Sequence, residues 1–149
     1  MKLRIEIILV FAIASITSCG RHYSLDDQIF IAAGGTNTQV VSHLIERGAN
    51  VNMISTKLAK HTPLMSAAQF GSYDMVRLLL SRGANPNSCD GTGNSVLFYA
   101  MVLRNDNSNI VQLLVKSGAH FSGQEEQEFV AGLPDSQNKR AYESAGKSK

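Results

Sequence analysis

The sequence predicts an all-α solenoid of about three repeated helix pairs with projecting loops, followed by a partial C-terminal capping repeat. Two observations carry this reading. The segment GANVN at 48–52 recurs as GANPN at 83–87 and, more loosely, as GAHFS at 118–122, so Gly48, Gly83 and Gly118 stand 35 residues apart. A fixed period of that size marks stacked supersecondary units, none of which buries its apolar face alone. Between the copies, Met75, Val76, Leu79 and Leu80 recur at helical spacing and supply one apolar face.

In chain order, residues 1–18 read as a signal peptide. Lys2 and Arg4 give a positive start, Glu6 lies just before the apolar run, and the run extends from Ile7 to Ile16. That run is about half of the roughly 20 apolar residues a spanning helix needs. Ile16-Thr17-Ser18-Cys19 resembles the bacterial lipobox. The resemblance implies cleavage before Cys19 and acylation of that residue, and more than one acyl chain is what stable anchoring requires. Gly20 stands where an Asp signals inner-membrane retention in many Gram-negative lipoproteins. By that analogy the mature chain is lipid-anchored in the bacterial envelope, at the outer membrane facing the periplasm. An ordinary secretory signal or a retained anchor are the alternatives. Residues 19–26 are then a lipidated N-terminus and linker.

Residues 27–61 form the first repeat, from Asp27-Gln28-Ile29-Phe30-Ile31-Ala32-Ala33 through Val40-Val41 and Leu44-Ile45 to Gly48. Its front is degenerate, as terminal repeats are. Residues 62–94 form the second. Thr62 is a natural N-cap, Pro63 suits a first helical turn, Ala67 and Ala68 let a short helix approach its partner, and Gly83 can take the left-handed conformation that ends the second helix. Residues 95–123 form the third, where Ser95-Val96-Leu97-Phe98-Tyr99-Ala100 matches Thr62-Pro63-Leu64-Met65-Ser66-Ala67 at an offset of 33. Two extra residues enter between its helices, where Arg104 to Asn109 replaces a compact turn, and two more lengthen the Asn52 to Thr62 loop. Connections tolerate insertion better than packed elements. Residues 124–145 read as a partial capping repeat of two short helices around Pro134, polar on its outer face, and a disordered tail begins at Gly146.

TPLMSAAQFGSYDMVRLLLSRGANPN, Thr62 to Asn87, resembles the ankyrin repeat across its whole length. The resemblance implies a concave surface of hairpin tips and inner helices that recognises a folded protein. Carried over by position, the groove residues are Leu58, His61, Gln69 and Phe70 in the second repeat and Asn94, Val102 and Leu103 in the third. Phe70, Val102 and Leu103 are apolar without being required by the repeat's own packing, and gathered exposed apolar side chains mark interaction sites. The alternative is that Val102 and Leu103 lengthen the inner helix and Phe70 covers them. The His of the family's TPLH is replaced by Phe30, Met65 and Phe98, which predicts apolar packing in place of an inter-repeat polar network. Tyr73 and Tyr99 have no assigned role.

No catalytic or cofactor pattern emerges. His22, His43, His61 and His120 show no metal-ligand spacing, and Asp90-Gly91-Thr92-Gly93 matches a hairpin turn rather than a phosphate loop. Cys89 has no sequence-adjacent histidine to activate it, and with Cys19 committed to processing no disulfide framework is expected. The formal net charge of +2 is too weak to favour nucleic acid. The chain therefore reads as a monomeric protein-binding module with no cofactor, held at a membrane by its anchor. A periplasmic scaffold and an inhibitor or immunity-type protein blocking a toxic enzyme are both compatible. An enzyme or ligand binder using Cys89 or His61 is the remaining class.

Overall fold

The computed structural model describes residues 23–56, 60–70, 72–102, 107–132 and 137–146; the signal segment, Cys19, Leu58 and Leu103 lie outside these residues. Among the described residues there are eight helices: α1 (Leu25–Ala33), α2 (Thr38–Glu46), α3 (Pro63–Phe70), α4 (Tyr73–Ser81), α5 (Val96–Val102), α6 (Ser108–Lys116), α7 (Gln124–Gly132) and α8 (Gln137–Gly146). The odd-numbered helices stack on one another as an inner layer, and the even-numbered ones stack as an outer layer. The extended element among them is a single antiparallel bridge, Cys89 with Ser95, in the hairpin before α5.

Local chemistry sets the helix starts. Ser24 Oγ accepts the Asp27 amide proton at 3.1 Å, Asn37 Oδ1 accepts that of Val40 at 3.3 Å, and Thr62 Oγ1 accepts that of Met65 at 3.3 Å. Each satisfies a first-turn donor that the helix itself leaves unpaired. Leu25 and Asp26, read from sequence as linker, belong to α1, because Ser24 rather than a residue further on supplies the cap. The outer helices stop at the repeated glycines. Gly48, Gly83 and Gly118 have φ of 96°, 86° and 88°. This left-handed turn lets the amides of Ala49, Ala84 and Ala119 reach back to the carbonyls of Leu44, Leu79 and Leu114 at 3.0, 2.9 and 2.9 Å.

The core lies between the layers. Ala67 and Ala68 are fully buried, as are Met75, Val76 and Leu79 on the facing helix, while Leu80 is half-buried at its edge. Val41 with Leu44, and Val111 with Leu114, repeat this pattern on either side. Ser108 and Asn109, read as the end of an enlarged loop, already lie in α6. The loop end is fixed by Asn107, whose amide donates to Asn138 Oδ1 at 2.8 Å and whose Nδ2 donates to the Ala100 carbonyl at 3.2 Å. The capping repeat is thus bolted to the third repeat by a buried polar pair. α8 extends to Gly146, the residue at which the sequence suggests a tail begins.

Asparagines join the repeats through their loops. Asn52 Nδ2 donates to the Gly83 carbonyl at 2.9 Å and its Oδ1 accepts the Asn85 amide at 2.8 Å. One repeat later, Asn87 makes the same two bonds, to the Gly118 carbonyl and from the His120 amide, at 3.1 and 3.0 Å. Among the described residues no helix is long and apolar enough to cross a membrane.

Candidate functional site

The inner helices and the hairpins that precede them bring the candidate residues into three places. The first is the C-terminal end of α3. Phe70 is 63% exposed and Gln69 is half-buried beside it. The ring turns towards the first repeat: a methyl group added at Gly34 would meet it at 3.3 Å and Ser66 Oγ at 3.1 Å. Gly34 thus leaves space for an aromatic that the second repeat presents. Val102 is half-buried at the end of α5.

The second place is a polar knot at the base of the hairpins, built around Asp90. The Asp90 side chain is 1% exposed. It accepts the backbone amides of Thr92 and Asn94 at 2.8 and 2.9 Å, the Thr92 hydroxyl at 2.8 Å, the Asn94 side-chain amide at 3.3 Å and the Tyr99 hydroxyl at 2.6 Å. Burial pushes its pKa up, but the bonds from Tyr99, Thr92 and Asn94 outweigh that and bring the value from 3.8 to about 2. Tyr99 moves the other way: burial, and then its bond to Asp90, raise the phenol from 10.0 to about 12.

His61 completes this knot. Its Nε2 lies 2.7 Å from Tyr99 Oη, and the two rings meet edge-on with centroids 4.7 Å apart. Tyr99 has one proton and donates it to Asp90, so the oxygen accepts from His61, which fixes the histidine as an Nε2–H donor. A chain of bonds therefore runs from the loop before α3 through α5 to the next hairpin. It ties repeats together and ends on a carboxylate. Cys89 is exposed, with its Sγ directed to the Asn87 carbonyl at 3.9 Å. Among the described residues no group of three His, Cys, Asp or Glu side chains is placed to hold a metal ion.

This knot corrects one expectation. Met65 is fully buried, as apolar replacement of the family's histidine predicts, yet an inter-repeat polar network is present, supplied by the hairpins and by Tyr99. His61 and Asn94 are brought together here through Tyr99 and Asp90, whereas Phe70 lies against Gly34. Asp90 and Tyr99 were legible only in part. Tyr99 stands where the aligned residue of the second repeat is the small Ser66, and that contrast is the signal for it.

The third place is the junction with the cap. Glu126 accepts the Ser95 amide at 2.6 Å and the Ser122 amide at 2.8 Å, one on each carboxylate oxygen. Phe98 and Phe129 pack with ring centroids 5.7 Å apart. Phe129 remains 53% exposed.

Comparison with known proteins fits this architecture. A family model for ankyrin repeats, in three copies, matches residues 29–125. An ankyrin repeat protein of fowlpox virus is 34% identical over 123 residues, covering 80% of this chain and 35% of its own length. One from Rickettsia felis is 36% identical over 93 residues, covering 62% and 40%, and one from Treponema pallidum is 39% identical over 82 residues, covering 55% and 26%. The chain thus spans well under half the length of these relatives. The crystal structure of the human ASB11 ankyrin repeat domain superposes with a TM-score of 0.56 at 26% identity, over 62% of this chain and 40% of that one. With three matched repeats across most of its folded length, the chain belongs to the ankyrin-repeat family, whose domains generally serve as protein–protein interaction modules.

Proposed function

We propose that this chain is a protein-binding module of the bacterial envelope, tethered by acyl chains on Cys19, that grips a partner protein through its concave face. Leu58, His61, Gln69, Phe70, Asn94, Val102 and Leu103 form the contact surface, and Phe70 is the anchor. The observation that supports this most is Phe70 itself: a large aromatic, 63% exposed, at the end of an inner helix and seated over a glycine of the neighbouring repeat. Aromatic anchors contribute disproportionately at interfaces, whereas solvent-facing ones add little to folding.

The test is crosslinking of the tethered protein in cells, with mass spectrometry of the captured partner. Phe70→Ala should leave helical content and melting unchanged and reduce capture at least about tenfold, the scale of an interface hot spot. Undiminished capture would move the surface elsewhere. One dominant enzyme among the captured proteins assigns an inhibitory role, and several structural proteins assign a scaffold. The tether is tested separately: Cys19→Ala should yield an unlipidated precursor that no longer partitions into detergent, and an unchanged mature mass and membrane location would refute it.

A further inference from the structure

The third hairpin and the capping repeat bound an open cleft of about 750 Å³. The Phe98 and Phe129 rings, inclined at 51°, line it, together with Gly93 and Asn94 at the hairpin and the first turns of α7. Among the described residues its lining includes Glu125, Glu126 and Glu128 and no Lys or Arg. Glu126 is occupied by the two amides it caps, but Glu125 and Glu128 are exposed on the rim, where Glu128 accepts from Gln124 Nε2 at 3.0 Å on Oε1 and leaves Oε2 to solvent. The negative character is local, because the whole chain has 14 Lys and Arg against 12 Asp and Glu.

A capping repeat is expected to turn a polar face to water. α7 is polar at most positions, which makes the half-open Phe129 anomalous there. Aromatic faces beside exposed carboxylates suit one kind of side chain in particular. A guanidinium stacks on the ring through its planar face and donates in a fork to a carboxylate, and an ammonium does only part of this. An acidic segment would be repelled, and an apolar one would strip water from Glu125 and Glu128 without replacing it.

We infer that this cleft receives an arginine-bearing basic segment of the partner protein. The inference rests on the protein-binding reading above and names the partner's chemistry. Asn94 lines the cleft and also belongs to the proposed concave surface, so one partner can engage both.

The probe is a short Gly-Arg-Gly-Arg-Gly peptide titrated into the full chain and followed by backbone amide NMR. Its twin carries citrulline, which keeps the shape of arginine and loses the charge. Shifts should concentrate at Gly93, Phe98, Glu125 and Phe129, the citrulline peptide should bind about fivefold more weakly or worse, and added salt should weaken the arginine peptide alone. Glu125→Gln combined with Glu128→Gln should cost about fivefold, and Phe129→Ala about two- to fivefold. These positions are exposed, so the fold should persist, which the unshifted remainder of the spectrum reports. Equal binding of the two peptides, or full binding by the Glu125→Gln/Glu128→Gln variant, overturns the inference. The groove reading is judged separately, by capture through Phe70.

Discussion

Tyr99 donates its hydroxyl proton to Asp90 across 2.6 Å, and that bond couples an inner helix to the hairpin in front of it. Because the Asp90 carboxyl falls to about 2 from 3.8, the folded state favours its charged form. The resulting stabilisation is complete above the unfolded value and is lost as pH falls from about 4 towards 2. A shift of this size is worth on the order of 2 kcal/mol. Tyr99 is raised to about 12 from 10.0, so its contribution is complete below pH 10 and is lost between about 10 and 12. Thermal melts across pH should show both limbs. Asp90→Asn should lower stability at neutral pH and flatten the acid limb, and Tyr99→Phe should flatten the alkaline one. Parental acid and alkaline limbs in these variants would mean that the knot is not linked to folding.

Leu79 is fully buried between the layers of the central repeat. Leu79→Ala should destabilise the protein by roughly 2 to 5 kcal/mol through lost apolar burial and the cavity left behind. Three repeats hold little reserve, so the melt should shift clearly. A melt superimposable on the parent's would contradict the packing described.

Asn87 holds the Gly118 carbonyl and the His120 amide from one side chain. Asn87→Ala removes both bonds at once, and a cost of about 1 to 3 kcal/mol is expected because two backbone groups lose their partner. Hydrogen exchange should localise the effect, with faster exchange at the His120 amide and unchanged protection in α3. Uniform loss of protection would instead mean that the array unfolds as one unit.

Gly34 has ordinary helical backbone angles, φ −73° and ψ −7°, so alanine fits its conformation. Its new methyl would still press on Ser66 Oγ at 3.1 Å, a hydroxyl that can rotate away, and on the Phe70 ring at 3.3 Å. The ring is free to give, so Gly34→Ala should cost less than about 1 kcal/mol while turning Phe70 from its seat. Capture of the crosslinked partner should fall. Unaltered capture would show that the seat does not orient the anchor.

Much of the architecture was legible because it is written in short-range, repeated signals. The left-handed Gly48, Gly83 and Gly118, the Thr62 cap with Pro63, and the spacing of Met75, Val76 and Leu79 each act within a turn or two of themselves. The periodic glycines also set the repeat count. Of the proposed contact residues, Phe70 stands out in the sequence as an apolar residue the repeat's packing has no use for, and it is 63% exposed.

The sequence by itself determined the helix pairs, their order and the identity of the buried face, because local conformation and apolar periodicity follow from neighbouring residues. Tertiary structure decided which polar groups meet. Asp90 and Tyr99 are nine residues apart, and His61 joins them from 38 residues before Tyr99. Glu126 reaches back 31 residues to the Ser95 amide, and Asn138 the same distance to Asn107. The Phe98–Phe129 contact likewise exists only once the cap has docked. Such pairings depend on how one repeat is set against the next, a geometry fixed by the summed packing of all the inner and outer helices rather than by any local run of residues.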